Sequence, residues 1–584
     1  MRQILKTVWQ MDKKNFLLIL LLNIGVALMG SVSIVMLIPM LDLLEISIGD
    51  SSGMGMLLQP FAGLTYLQRA STVIGIFVVI MLLRAVLNAF ASVRQNAYFE
   101  RYEMSLRKDL HGAVAAANWE TLSEKPGAEL INLFLVQCRQ ARACLQMTVS
   151  MIASLFTALL QLVIALWMSL PVTVMALLVG GGFLLLFRPF LVKSKKFGEK
   201  AIGVTRDLYW EVQNQLNSVK EIRAYGVEEH HEQLFTSISQ ESYDVNLQNT
   251  QLRVIPQLCY SVAAAVLIAL AFVYSVLILD TGTAQLVILV YIFSRLWPLF
   301  SSVQGQLQSI QSCVPAYETI QTAIADLQRG VREPESQVGV LPFFREVAFR
   351  GVGFTYQNGD EEVLHDVSFT LPFGSVTALV GPSGAGKSTT ADLLLGLLHP
   401  TTGKIFVDDV PLSEENMGLW RKEIGYIPQE PLILNTTVRE NLLRFHPEAT
   451  EEDMIAALKQ SLAWHVVEKL PGGLDTVLGD RGVRLSGGER QRIVLARVLM
   501  GKPRLIILDE ATSALDYESE TFIRETIRSL GTGTTVLVIA HRMATIRGAD
   551  RAVVLENGKV AEQGSLQELI GKENGYLGTM ACVE

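Results

Sequence analysis

Gly381-Pro-Ser383-Gly384-Ala385-Gly386-Lys387-Ser388 follows the apolar run Val376-Thr-Ala-Leu-Val380 and opens onto Thr389-Thr-Ala-Asp-Leu-Leu-Leu-Gly396. An apolar run, a glycine-rich turn and a helix-compatible continuation predict strand, loop and helix in that order. Such a loop suits an anion. Glycines let successive backbone N–H groups close around it, and the helix N-terminus adds the positive end of its dipole. Gly381, Ser383, Gly384, Ala385, Gly386, Lys387, Ser388 and Thr389 are therefore the candidate cradle for a nucleotide's phosphates. Lys387 is expected to reach the terminal phosphates and the Ser388 hydroxyl to ligate magnesium.

Further motifs lie on both sides of this loop. Gly353-Phe-Thr-Tyr356 precedes it, and Tyr426-Ile-Pro-Gln429-Glu430 follows. Leu485-Ser486-Gly487-Gly488-Glu489-Arg490-Gln491 comes about a hundred residues after Lys387. Next is Leu505-Ile-Ile-Leu508-Asp509-Glu510, an apolar strand ending in two carboxylates, then Ser513-Ala-Leu-Asp516. The β-rich run Thr535-Val-Leu-Val-Ile539 leads to His541. In this order the set resembles the ATPase cassette of the ATP-binding-cassette (ABC) family over about residues 345–575, with no departure at any motif position.

The resemblance implies the roles. Asp509, Ser388 and Gln429 hold magnesium, and Glu510 polarises the attacking water as general base. His541 contacts the γ-phosphate and keeps water and base in register, so Glu510, His541 and Gln429 form the expected catalytic set. Tyr356 stacks on adenine, and Asp516 belongs among the nucleotide-binding residues. Ser486, Gly487 and Gly488 bind the γ-phosphate of ATP held by an opposite cassette. One cassette per chain then requires a dimer, and intact motifs favour a homodimer over a heterodimer with a sister half-transporter. Asp480-Arg481-Gly482 resembles the short loop through which exporters couple cassette to membrane domain.

The other half of the chain is of a different kind. Half of the 584 residues are hydrophobic, and stretches of about 20 apolar residues, enough to span a bilayer, occur only before about residue 305. They lie at 16–41, 71–90, 147–170, 172–192, 255–279 and 285–303. The first is too long for a removable signal peptide and lacks a small-residue cleavage site. Basic residues crowd the N-terminus (Arg2, Lys6, Lys13, Lys14) and the connections after the second and fourth spans, whereas the other connections hold only Arg69. The positive-inside rule places both termini and the cassette in the cytoplasm, with the protein in the cell (inner) membrane.

The two basic connections run about 60 residues each with helical periodicity, so helices are expected to continue beyond the bilayer. Six spans followed by a cassette resemble exporter-type half-transporters. In these a short helix at each loop tip rides on the cassette, expected here near 119–129 and 214–224. The expected fold is thus an α-helical polytopic membrane domain (1–325), a linker (326–344) and an α/β P-loop ATPase domain of ABC type (345–584).

Substrate is less legible. Arg84, Arg188 and Arg295 each interrupt an apolar span, at a cost of about 3 kcal/mol or more for a charge in the bilayer centre. Two readings stay open: a basic cavity lining for an anionic substrate, or snorkelling and inter-helix hydrogen bonds. The segments Leu83-Arg84-Ala-Val-Leu-Asn88 and Ser294-Arg295-Leu-Trp-Pro298 resemble parts of bacterial lipid-linked oligosaccharide flippases, and similar patterns occur in peptide exporters and a siderophore-importing branch. The function expected is ATP-driven export or flipping of a small molecule, lipid or peptide. Alternatives are siderophore-like import and an ATP-gated channel or sensor. The cofactors expected are ATP and Mg2+. Five cysteines without metal spacing predict no structural disulfide, and a net charge of −8 gives no reason for a nucleic-acid partner.

Overall fold

The computed structural model describes residues 12–35, 65–168, 170–277, 283–329, 341, 343–356, 359, 361–509, 533–541, 543–572 and 574–583. The chain divides into two compact units, residues 1–116 with 125–329, and residues 117–124 with 330–584.

The first unit is helical. Its helices are α1 (Lys13–Val35) and α2 (Tyr66–Ala116). After the short α3 (Trp119–Ser123), which groups with the second unit, come α4 (Gly127–Asn132), a π-helical turn (Leu133–Gln137) and α5 (Cys138–Met168). They continue with α6 (Leu170–Leu186), α7 (Arg188–Asn217), α8 (Val219–Tyr225), α9 (Glu228–Leu277) and α10 (Thr283–Arg329). The expected spans fall on α1, α2, α5, the α6–α7 pair, α9 and α10.

Among the described residues, α1, α2 and the helical run through α5 are long and apolar enough to cross a membrane. The α6–α7 pair, bent by 40°, adds a fourth when counted as one span. The apolar window of α2 is only 6% buried, so its side chains need an apolar surrounding that protein does not supply.

Three helices expected to be continuous are broken, each at an identifiable residue. Pro189 has no N–H for the carbonyl four residues back, and Phe187 leaves helical geometry at φ −89°, ψ 6°, so the fourth span bends there. The loop helix expected over 119–129 becomes α3 and α4 because Pro126 caps the second of them. The one expected over 214–224 is the end of α7 and then α8, parted at Ser218 (φ −109°, ψ 18°).

Helix α10 organises the unit. A side-chain carbon at Gly198 of α7 would lie 2.3 Å from the Ser312 carbonyl oxygen, and one at Gly180 of α6 would lie 2.5 Å from the Phe300 ring. Glycine thus sets how closely both helices approach α10. Its glutamines also donate to backbone carbonyls near the prolines. Pro256 deprives the Leu252 carbonyl of its helical donor, and Gln308 Nε2 donates to it at 3.2 Å. Gln304 Nε2 reaches the Phe187 carbonyl at the α6–α7 bend, at 3.4 Å.

The second unit contains two sheets. In chain order the strands are β1 (Glu346–Thr355), β2 (Glu362–Pro372), β3 (Val376–Val380), β4 (Thr402–Val407), β5 (Val410–Pro411), β6 (Ile424–Ile427), β7 (Leu505–Asp509), β8 (Thr535–Ile539), β9 (Arg551–Glu556) and β10 (Lys559–Ser565). An antiparallel sheet has the order β2-β1-β4-β5, and a larger one the order β10-β9-β3-β8-β7-β6. From β9 to β6 the larger sheet is parallel. Its strands are apolar without alternation because both faces are covered. Ala378, Ile506, Leu508 and Val538 face one core, and Leu379, Ile507, Leu537 and Ile539 the other.

Gly198→Val is expected to cost about 1–3 kcal/mol through overpacking against α10. Gly203→Val, whose new carbon meets nothing within 4 Å, is expected to change stability by less than about 0.5 kcal/mol. Thermal midpoints of the two purified variants check this.

Candidate functional site

Four of the motifs begin where four neighbouring parallel strands end. Gly381 directly follows β3, His541 stands two residues beyond β8, Asp509 closes β7, and Gln429 stands two residues beyond β6. The register is level: Leu379 pairs with Ile539, Ile539 with Asp509, and Leu508 with Ile427. With neighbouring strands about 4.8 Å apart, the four segments emerge along an edge about 15 Å long. In open parallel sheets this carboxyl edge is where ligands bind.

The loop has the shape its glycines permit. Gly384 (φ 80°) and Gly386 (φ 95°) take left-handed conformations, and a side chain at Gly386 would meet Leu364 at 2.5 Å. Nothing lies within 4 Å of one built at Gly384, where the loop faces open space. Ser383 and Ser388 are exposed, while Ala385 and Lys387 are buried. Lys387 Nζ donates to the Gly381 and Pro382 carbonyls at 2.9 and 2.8 Å, which holds the ammonium at the mouth of the loop. The helix Lys387–Leu394 starts at this point and sets the positive end of its dipole at the loop. Thr389 is in its first turn, and its hydroxyl lies 3.2 Å from that of Tyr356. Phe354 braces the Tyr356 ring edge-on at 4.8 Å, leaving that residue 38% exposed beside the phosphate loop.

These residues fit a magnesium nucleotide. The accessible Ser388 hydroxyl and the Asp509 carboxylate are hard oxygen donors, and magnesium is commonly held by one or two such groups plus phosphate and water. Among the described residues there is no cluster of three or more His, Cys, Asp or Glu side chains able to hold a metal unaided. Gln429 is exposed at the end of the same edge. Glu510 and Asp516 lie outside the described residues.

The Ser486 motif starts the helix Gly487–Met500 with a capping box. Ser486 Oγ accepts from Glu489 N–H at 3.3 Å, and Glu489 Oε2 accepts from Ser486 N–H at 2.7 Å. The cap commits Glu489 to the protein, and a side-chain carbon at Gly487 would meet nothing within 4 Å. Arg490 donates to the Arg481 carbonyl at 3.3 Å, tying the 480–482 loop to this helix.

The roles of three residues escaped the sequence reading. Arg497, on the helix behind Ser486, is buried with no carboxylate partner among the described residues. It donates to the carbonyls of Leu432 and Asn441 at 3.0 and 3.1 Å and to Asn441 Oδ1 at 3.2 Å, with its guanidinium 4.3 Å from the Phe445 ring centre. Burial pushes its pKa down to about 10. It thereby fastens the segment after Gln429 to the Ser486 helix. Asp392, five residues after Lys387, is the second: burial and then the nearby Asp509 charge push its pKa up to about 6. Tyr426, the third, donates to Asp509 Oδ2 at 3.3 Å. Only the position of Asp392 in Lys387-Ser-Thr-Thr-Ala-Asp392 was available as a sequence signal, because its partner is more than a hundred residues away.

The intramembrane arginines fare differently. The Arg84 guanidinium lies over Gly30 of α1, with Cζ 3.3 Å from where a side-chain carbon at Gly30 would be. Arg188 is exposed at the start of α7. Arg295 falls within α10, and its side chain lies outside the described residues.

Asp392 binds its proton more tightly in the folded protein than in the unfolded chain. Stability is therefore lost as pH rises from 3.8 through about 6. In nucleotide-free protein, Asp392→Asn is expected to raise the melting midpoint by about 2–4 °C at pH 8 and to leave it unchanged near pH 4. Melting curves at the two pH values check this.

Comparisons with known proteins agree with this geometry. Residues 364–513 match the family model described as ABC transporter, and residues 16–301 match that of the ABC transporter transmembrane region. The chain is 31% identical over 504 residues to the heterocyst differentiation ATP-binding protein HepA of Nostoc sp., covering 84% of this chain and 80% of that protein. It is 41% identical over 230 residues to the ATP-dependent lipid A-core flippase of Chromohalobacter salexigens, a match spanning 39% of this chain and 40% of the flippase. A bacterial Atm1-family ABC exporter with ATP bound has the same fold, with a TM-score of 0.80 at 23% identity and 99% coverage of both chains. The chain belongs to the ABC transporter family as an exporter-type half-transporter, a helical membrane region fused to a cassette whose ATP hydrolysis is coupled to transport.

Proposed function

We propose that two copies of this chain form an ATP-driven exporter or outward flippase that works by alternating access. The observation that carries this reading is the alignment of Gly381, His541, Asp509 and Gln429 along one edge of the parallel sheet. In this reading the loop from Gly381 to Thr389 holds the phosphates, and Tyr356 stacks on the adenine. Ser388, Asp509 and Gln429 hold magnesium, which neutralises charge on the β- and γ-phosphates. Glu510 takes a proton from the attacking water, while His541 keeps that water in line with the γ-phosphate. The capped Ser486 helix, with Gly487 open to approach, engages ATP on the partner cassette, beside Asp516. Closure of this sandwich carries α3 and α8 with the cassettes.

The charge distribution argues for cytoplasmic termini and a cytoplasmic ATPase in the cell membrane. The intact motifs favour a homodimer. The cargo proposed is an amphiphile, either an anionic lipid-linked glycan or a peptide, and the flippase among the relatives is consistent with this.

In lipid nanodiscs, Glu510→Gln is expected to keep ATP binding, trap a cassette-closed dimer and lose about 10²–10⁴-fold in turnover. Hydrolysis at the unsubstituted rate would remove Glu510 as the base. With that variant as blank, polyprenyl-phosphate glycolipids and amphipathic peptides are compared as stimulators. Stimulation by the glycolipids supports the lipid reading, and stimulation by peptides alone assigns a peptide cargo. Arg295→Ala is expected to reduce the ratio of stimulated to basal hydrolysis at least several-fold for an anionic amphiphile. An unchanged ratio makes Arg295 structural.

A further inference from the structure

The torsion that turns an aspartate carboxylate about its last bond is broad, so the direction of its lone pairs is set by the groups that hydrogen-bond to it. At Asp509 one such group comes from the neighbouring strand. The Tyr426 hydroxyl donates to Oδ2 at 3.3 Å.

The sheet places that hydroxyl. Tyr426 of β6 pairs with Ile507 of β7, and Asp509 stands two residues further along the same face as Ile507. Two steps along one strand and one strand across make a diagonal of about 8 Å between Cα atoms, which a tyrosine bridges. The other face of β6 is fixed at Gly425, where a side-chain carbon would meet Val498 of the Ser486 helix at 2.2 Å. The strand therefore lies against that helix, and Tyr426 points away from it. Burial, then the charges of Asp509 and Asp392, push the Tyr426 pKa up, so the hydroxyl keeps its proton beside these carboxylates. Gln429 follows Tyr426 by three residues. One hydrogen bond thus ties the segment carrying Gln429 to Asp509, two of the three oxygen donors expected on magnesium.

We propose that Tyr426 is a positioning residue of the magnesium site, its hydroxyl fixing the rotation of the Asp509 carboxylate and its place relative to Gln429. Magnesium tolerates little departure from octahedral geometry, and hydrogen-bond partners of metal-binding groups tune metal affinity. A role in packing alone fits less well. Tyr426 is 36% exposed and belongs to neither of the two cores that flank the sheet. The assignment rests on the reading that Asp509 holds magnesium and adds a residue to that site.

The test measures ATP affinity of the full-length protein in lipid nanodiscs by equilibrium dialysis, with Glu510→Gln present throughout to stop turnover. Each variant is scored by the ratio of its dissociation constant in EDTA to that in excess Mg2+. Tyr426→Phe removes the hydroxyl and keeps the ring. It is expected to lower the ratio by about 3- to 10-fold, toward the low end of what losing such a partner costs, with the affinity in EDTA unchanged. On an Asp509→Asn background the same substitution is expected to change the ratio no further, because the carboxylate it orients is gone. An unmoved ratio, equal weakening in both media, or the same effect on both backgrounds overturns the assignment. Failure of the magnesium reading itself looks different: Asp509→Asn alone then leaves the ratio where it was.

Discussion

A parallel β-ladder makes successive strands end on the same edge, and the cassette's chemistry depends on this constraint. Residues from 376 to 541 are brought together only because β3, β8, β7 and β6 run the same way and in level register. Slipping one strand by a residue would exchange its two faces, moving Ile507 into the place of Leu508 and Asp509 off the edge. The two separate cores that flank the sheet make such a slip expensive. The Gly381 loop, Asp509 and His541 are therefore held by the most deeply buried part of the unit.

The membrane unit meets a different constraint. Helices in lipid must satisfy every backbone polar group internally, yet this chain places Pro189 and Pro256 within its long helical segments. Side-chain amides on α10 supply donors near those interruptions: Gln308 to Leu252 and Gln304 to Phe187. Close approach at Gly198 and Gly180 brings α7 and α6 near enough to α10 for this to happen.

Within the cassette, Arg497 and Arg490 join pieces that sequence motifs treat as separate. One guanidinium ties the Ser486 helix to the segment after Gln429, and the other ties it to the 480–482 loop. A displacement of that helix is felt at both loops through carbonyl hydrogen bonds rather than ion pairs. The Arg497 bonds to Asn441 are buried and therefore little screened by salt.

Short-range patterns were legible from the sequence because their causes are local. A glycine-rich loop after an apolar strand and apolar runs of bilayer length each need only neighbours along the chain. The cassette motifs, the family and the helical membrane region followed from them. Tertiary structure alone decided the strand order, the nearness of Asp392 to the Asp509 charge, and the seating of Arg84 on Gly30. Each joins residues tens to hundreds of positions apart, where sequence spacing carries no distance. Arg84 makes the difference plain: as a residue in an apolar run it leaves two readings open, a cavity lining or an inter-helix contact. In the folded chain it is a guanidinium that a glycine on the neighbouring helix leaves room to seat.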